Sequence, residues 1–553
     1  MTSVHQHLAA LYGEPVARDL TGRLRGRLDQ LKAKTRSGAP RDSLPLTQQD
    51  ALLITYADQL RETERAPLRT LTDFALAHLR EVITAIHLLP FYPWSSDDGF
   101  SVKDYYGVDP QYGSWTDIRQ LGDHFHLMFD AVFNHLSVQG DWFRQYLEGD
   151  GQYRDFFISA EPGWDLARVV RPRALPLLTE FGTPEGPRRI WTTFSADQAD
   201  LNFRNPEVLW AVLEALLFYV EQGARYIRLD AIAFLWKQPG TTCLHLPQTH
   251  RIVQLMRACL DQFAPHVLLI TETNVPHQDN LSYFGDGTNE AQLVYNFALP
   301  PLVLHSLQTG NAQALTRWAR ALVLPSDRVT FLNFLASHDG VGMNPARGIL
   351  SEAEIDALVA RTVGRGGFIS YKSQPDGSEI PYEMNINYLD AISDPAAREP
   401  APLAARKFLT AHNILLSLRG VPAIYFHSLI GSRGDRAAAE ATGLKRRINR
   451  QKLERAPVES SLQDSSTLRA QIFDGLRQQL ALRRTHAAFA PAASQDVLEL
   501  DPRVFAVVRQ STGGSDRMLC VHNVSSESVT VAGPGTGEDV RLEPYSSVWR
   551  SVC

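Results

Sequence analysis

Residues 205–230, NPEVLWAVLEALLFYVEQGARYIRLD, decide the fold. Asn205 is a helix cap and Pro206 takes the first helical position, where its missing N–H costs nothing. Leu209, Val212, Leu213, Leu216 and Val220 then recur at helical spacing, and Gly223 ends the run. The next stretch, Tyr226 to Ile232, is a short apolar run carrying Arg228 and Asp230. A helix feeding a buried strand that ends on a carboxylate is one unit of an α/β fold.

The same unit repeats outward in both directions. Further apolar runs at Leu52–Tyr56, Val82–Leu89, Leu127–Phe133, Val267–Thr271, Leu293–Phe297, Val329–Leu335 and Val421–Phe426 bring the candidate strands to eight, with amphipathic stretches between them. Eight such units predict a (β/α)8 TIM barrel, whose active site is built from the loops that follow the strands. The barrel is expected over residues 51–485, behind a polar helical extension over 1–50 with a solvated face, where Arg18, Arg23, Arg25, Arg27, Lys32, Lys34 and Arg36 are spread among leucines. Two connections are too long for turns. The segment after the third strand, about 136–204, is expected to be an inserted subdomain over the barrel mouth. The second, from Gly340 to Leu418, is expected to hold a mobile lid over about 340–400, given Gly364-Arg365-Gly366-Gly367 and Gln374-Pro375-Asp376-Gly377-Ser378. Short strands such as Val504–Val508 predict a C-terminal β-domain over 486–553.

Composition narrows the function. The chain has 553 residues, a formal charge of -6 and a pI near 6.3, so neither nucleic acid nor an anionic membrane is an expected partner. No apolar run reaches membrane-spanning length and the first residues lack a signal-peptide pattern, so a cytoplasmic location is expected. Cys243, Cys259, Cys520 and Cys553 have no metal-ligand spacing and read as free thiols. No metal site and no cofactor are expected; oligomeric state is left at monomer or homodimer.

The chemistry lies at the strand ends. Asp230 closes the fourth strand, Glu272 closes Leu268-Leu269-Ile270-Thr271, and Asp339 follows Phe334-Leu335-Ala336-Ser337-His338. Taken alone, Arg228 and Asp230 could be a buried ion pair. Three carboxylates at successive strand ends instead suit glycoside chemistry, in which one carboxylate is a nucleophile and another a proton donor. Arg228, two residues before Asp230 on the same strand face, is expected to keep Asp230 ionised, while burial raises Glu272 into the range of an acid at neutral pH.

The segments Asp130-Ala131-Val132-Phe133-Asn134-His135, Arg228-Leu229-Asp230-Ala231, Glu272 and His338-Asp339 resemble, in order, the four signature regions of the α-amylase family, glycoside hydrolase family 13. The resemblance covers roughly residues 50–553. It implies Asp230 as nucleophile, Glu272 as general acid/base and Asp339 as transition-state stabiliser, with His135, Arg228 and His338 around the sugar and Asp130 as support. Ser95-Ser96-Asp97-Asp98-Gly99-Phe100, Arg171-Pro172-Arg173, Gln198, Asn296–Leu302 and Arg447-Ile448-Asn449-Arg450 are similar to segments of the sucrose phosphorylase subgroup. That likeness implies a hydroxyl clamp at Asp97, an aromatic platform at Phe100, further sugar contacts at Gln198 and Arg450, and Arg173 on phosphate. Inorganic phosphate is then a co-substrate in a retaining, hexosyltransferase-type (EC 2.4.1) phosphorolysis. Arg347, Lys372 and Arg433 are expected to add to the phosphate field.

Phe368-Ile369-Ser370-Tyr371-Lys372, Ile380–Asn385 and Leu429–Asp435 look more like glucosylglycerate phosphorylases of the same subgroup, which implies D-glycerate as acceptor and puts Tyr371 beside it. Several cations near the acceptor suit an anion better than neutral fructose. Sucrose, sucrose 6-phosphate and glucosylglycerol phosphorylases remain alternatives, as does an α-glucoside hydrolase or transglucosidase.

Overall fold

The computed structural model describes residues 2–32, 44–374, 378–533 and 538–552. Its centre is a closed parallel barrel of β1 (Leu52–Thr55), β2 (Ala85–Leu88), β3 (His126–Ala131), β4 (Ala224–Leu229), β5 (Leu268–Thr271), β6 (Leu293–Tyr295), β7 (Thr330–Asn333) and β8 (Val421–Tyr425). Each strand pairs with its neighbours in chain order, and β8 returns to β1. All eight expected strands are present, each shorter than its apolar run by one to four residues. The runs overshoot because the residues past each strand end, such as Phe133 and Phe334, are also buried, in the loops at the barrel mouth. The register sets charges side by side: Asp130 on β3 stands opposite Arg228 on β4, which stands opposite Ile270 on β5.

The N-terminal helices depart from expectation. Helix α1 (Thr2–Tyr12) and α2 (Glu14–Lys32) do not simply present a solvated preface. Val4, Leu8, Leu20, Leu24, Leu28 and Leu31 are buried in the main core, against α3 (Pro206–Glu221) and α4 (Pro247–Phe263). Two of the arginines are also spoken for: Arg23 pairs with Glu207 at 2.6 Å, and Arg27 reaches Glu214 at 3.2 Å and Glu221 at 2.9 Å. Lys34 and Arg36 lie outside the described residues. The leucines between the arginines form a second apolar stripe, and a stripe needs a partner face.

The connection after β3 carries short antiparallel pairs, His135–Ser137 with Gln198–Asp200 and Leu178–Thr183 with Gly186–Trp191, and a helix at Asp141–Glu148. The connection after β7 is built of regular elements. Helix Glu352–Gly364 starts at a capping box between Ser351 and Glu354, and strands Phe368–Ser373 and Glu379–Asn385 form a hairpin whose second strand also pairs with Val341–Gly342. Pro375, Asp376 and Gly377 lie outside the described residues.

The C-terminal strands Ser494–Leu498, Val504–Gln510, Arg517–Asn523 and Ser547–Ser551 form one antiparallel sheet, beside a pair at Val529–Ala532 and Asp539–Leu542. Two buried guanidiniums join this region to the barrel. Arg483 donates to the carbonyls of Gln48 (2.6 Å), Gly420 (3.2 Å) and Phe489 (3.0 Å), and Arg509 to those of Ser494, Ser417 and Ala490. Burial pushes Arg483 down to about 10 and Arg509 to about 9, both still charged at neutral pH. Cys243, Cys259 and Cys520 are free and buried; Cys553 lies outside the described residues. Among the described residues no helix is long and apolar enough to cross a membrane.

Because α2 is part of the core, Leu24→Ala is expected to lower stability by about 3 kcal/mol, read as a clear fall in the thermal midpoint. An unchanged midpoint would mean that the N-terminal helices are dispensable for the barrel.

Candidate active site

The strand register builds the floor of the site. Arg228 points into the barrel and donates through Nη1 to Asp130 Oδ1 and, at 3.0 Å, to Asp230 Oδ1; its Nη2 stands 4.0 Å from Glu272 Oε2. His87 on β2 donates to the other Asp130 oxygen at 2.7 Å. One guanidinium thus serves three carboxylates from three adjacent strands, and Tyr295 lies 5.5 Å from it on the next. Arg228, Asp130 and His87 are essentially closed to solvent. Burial opposes the charge on Asp130, but Arg228 and His87 hold it below the ordinary carboxylate range.

Above that floor, Asp230 and Glu272 face one cavity. Burial pushes both above their ordinary values, and Arg228 opposes the shift in each. This corrects the simple expectation for Asp230: the guanidinium beside it is outweighed by desolvation and by the Glu272 and Asp130 charges. Asp230 is the nearer of the two to the guanidinium, 3.0 Å against 4.0 Å, and Glu272 Oε2 accepts the Ala231 N–H at 3.2 Å. Ala231 itself sits at φ 48°, in the left-handed region a side chain seldom adopts, where the chain turns sharply away behind Asp230.

Asp339 is held the other way. Burial would raise it, yet Arg446 at 2.7 Å, His338 and Arg450 at 3.1 Å keep it well below the usual range. His338, driven down to about 3 chiefly by burial, is neutral and stacks on Phe100 with ring centres 4.6 Å apart and planes 5° from parallel. That stack presents an aromatic wall to the cavity. His135 donates to the Phe100 carbonyl at 2.9 Å, as does Gln198 at 3.1 Å, so both fix the wall from behind.

Asp97 and Asp98 occupy successive left-handed conformations, φ 52° and 48°, before Gly99 at φ 111°, where a Cβ would lie 2.5 Å from the Pro90 carbonyl. The tight turn aims both carboxylates at arginines. Arg450 reaches Asp97 at 3.1 Å and Asp98 at 2.9 Å, Arg447 reaches Asp98 at 3.0 Å, and Arg173 donates to the second Asp97 oxygen at 2.8 Å.

The cavity brings together Asp97, Phe100, His135, Arg173, Gln198, Asp230, Glu272, His338, Asp339 and Lys372. Arg228 and Arg450 lie just beneath it. Three expected members are elsewhere. Arg433 pairs with Asp390 at 2.8 Å and the Ser393 carbonyl at 2.7 Å, Arg347 with Glu352 at 2.6 Å, and Tyr371, whose strand alternation opposes that of Lys372, is exposed. Their loops do lie after β7 and β8, but loop membership says nothing of direction. Arg446, Tyr382 and Asn274 line the cavity although the sequence pattern does not single them out. The cationic run Lys445-Arg446-Arg447 beside Arg450, matching the acidic Asp97-Asp98, is the available signal for the first.

Residues 75–340 match the alpha-amylase catalytic domain family. Relatives called glucosylglycerate phosphorylase match most of the chain. That of Spirochaeta thermophila is 50% identical over 94% of this chain and 88% of its own length, and that of Allomeiothermus silvanus 49% over 99% and 98%. A sucrose phosphorylase of Agrobacterium vitis is 30% identical over 79% and 88%. Among solved structures, the fold is similar to sucrose 6F-phosphate phosphorylase from Thermoanaerobacter thermosaccharolyticum, with a TM-score of 0.77 at 22% identity, covering 91% of this chain and 99% of that one.

Removing the shared guanidinium strands buried charge. Arg228→Leu is expected to cost about 3–5 kcal/mol at neutral pH. The Asp130 pKa is depressed in the fold, so the stabilisation from its ion pair is present above the unfolded value of about 3.9 and disappears as pH falls through the folded one. Denaturation curves of the two proteins should therefore converge in acid. A gap that stays constant with pH would show that packing, not charge, accounts for the loss.

Proposed function

The chain belongs to the α-amylase family and, within it, to the glycoside phosphorylases, and from that premise we propose that it interconverts 2-O-(α-D-glucosyl)-D-glycerate plus phosphate with α-D-glucose 1-phosphate plus D-glycerate. The observation that carries this reading is the identity of 46–50% over nine-tenths or more of the chain with glucosylglycerate phosphorylases. The cavity is compatible with it: Arg173, Lys372 and Arg446 all line the space where acceptor and phosphate would enter, which suits anions.

The chemistry is a double displacement with retention. Asp230 attacks the anomeric carbon while Glu272 passes its proton to the glycosidic oxygen, and D-glycerate leaves. The β-glucosyl ester on Asp230 is then attacked by a phosphate oxygen, whose proton returns to Glu272. Two inversions give α-glucose 1-phosphate. Asp339, held ionised by Arg446 and Arg450, accepts hydrogen bonds from sugar hydroxyls, and these strengthen as the ring gains positive charge. Phe100, stacked on neutral His338, supports the apolar face of the ring. His135 and Gln198 act by holding Phe100 in place.

Phosphate must outcompete water, so the field at the cavity matters. Arg173 presents a planar fork suited to a phosphate. Lys372, half-buried, has its pKa lowered by desolvation and by Arg347, and an anion seated against it would oppose that shift. Arg347 itself donates to the Pro381 carbonyl at 3.2 Å, beside Tyr382. Phosphate is the sole co-substrate and no cofactor takes part; the protein works in the cytoplasm as a monomer or homodimer.

Phosphate release from α-glucose 1-phosphate is expected to be about a hundredfold faster with D-glycerate than with D-fructose. The reverse order would make the protein a sucrose phosphorylase, and release without any acceptor would make it a hydrolase. Asp230→Asn is expected to lose about 10³-fold or more in turnover while keeping its fold. The raised pKa of Glu272 means that the donor is competent below that value and fails above it. An alkaline limb in the pH–rate profile should therefore be present in the wild type and absent from the residual activity of Glu272→Gln.

A further inference from the structure

Glu383 is a buried acid that the chemistry above does not use. It sits on the second strand of the hairpin after β7, and its side chain is 2% exposed. Its Oε1 accepts the Gly340 N–H at 2.6 Å, the amide next to Asp339. Its Oε2 accepts from Arg446, whose Nη2 is 3.1 Å away and whose Nε is 3.2 Å away. The same arginine reaches Asp339 through Nη1 at 2.7 Å. Arg446 is therefore a bridge with Asp339 at one end and the hairpin at the other.

The backbone makes the approach equally close. A Cβ at Gly340 would lie 2.5 Å from the Met384 carbonyl and 2.7 Å from Glu383 Cγ. A Cβ at Gly342 would collide with the Asn274 amide, two residues beyond Glu272. The hairpin is thus seated against the loops that carry both Asp339 and Glu272. It delivers Tyr382 and Lys372 to the cavity, and Lys372 pairs in register with Ile380, three residues before Glu383.

We propose that Glu383 is a positioning residue for the acceptor side of the reaction: by holding Arg446 and Gly340 at once it latches the hairpin against Asp339, and so sets where Lys372 and Tyr382 meet the glycerate carboxylate. This rests on the reading of glycerate as acceptor. Asp339 is also paired with Arg450, which does not touch Glu383, so the charge of Asp339 does not rest on the latch alone.

Glu383→Gln separates the two sides. Hydrolysis of α-glucosyl fluoride, which needs neither glycerate nor an oxyanion in the site, reads glucosyl transfer alone and is expected to stay within about twofold of wild type. The KM for D-glycerate in the synthetic direction is expected to rise about tenfold or more. Hydrogen exchange at residues 368–373 and 379–385 should quicken while exchange in β4, β5 and β7 is unchanged. Glu383→Asp, which keeps the charge but shortens the reach, should fall between the two proteins, and serves if the first variant folds poorly. Equal losses in glucosyl fluoride hydrolysis and synthesis, or an unaltered glycerate KM with unaltered hairpin exchange, would overturn the proposal. If the wild type ignores glycerate, the acceptor reading fails, and the hairpin exchange still decides whether Glu383 is the latch.

Discussion

The site depends on one guanidinium. Arg228 is placed by strand register opposite Asp130 and two residues before Asp230, and it is the only cation in direct contact with either among the described residues. Three acids on neighbouring strands would repel one another in a low-dielectric interior, and a barrel mouth lined with them would not form. With Arg228 between them, one acid is held as an anion below the site, and the other two, at 3.0 and 4.0 Å from the same group, are pushed above their ordinary values by burial.

A second ring of charge surrounds the first. Asp97, Asp98, Asp339 and Glu383 alternate with Arg173, Arg446, Arg447 and Arg450 around the mouth. These come from four separate connections, so their mutual pairing fixes the loops to one another as well as to the barrel. Each arginine with two acidic partners can lose one to a ligand and stay neutralised, which is what a site handling anions requires.

Much of this is legible in the chain. Strands of three to six mostly buried residues are written as apolar runs, and each run falls on a barrel strand because both faces of such a strand are covered. Asp230 and Glu272 can be placed because each directly follows its strand, and a strand end fixes its residues in space; Asp339 lies six residues beyond β7. The loops are harder: Arg433 and Arg347 follow the right strands but point to Asp390 and Glu352, and nothing in a linear sequence gives the direction of a long side chain. Glu383 is hidden for the opposite reason, since its partners Gly340 and Arg446 are 43 and 63 residues away. The N-terminal helices mislead because arginines between leucines look like a wet surface until their partners, Glu207, Glu214 and Glu221 on α3, are known.

Arg483 carries a consequence for how the molecule is made. Its guanidinium spans the carbonyls of Gln48, just before the first barrel strand, and of Gly420, just before the last. The pairing of β1 with β8 closes that seam, and Arg483, which lies beyond both in the chain, braces its two entry loops. During synthesis the ribosome must therefore deliver nearly sixty residues past β8 before the brace can be set.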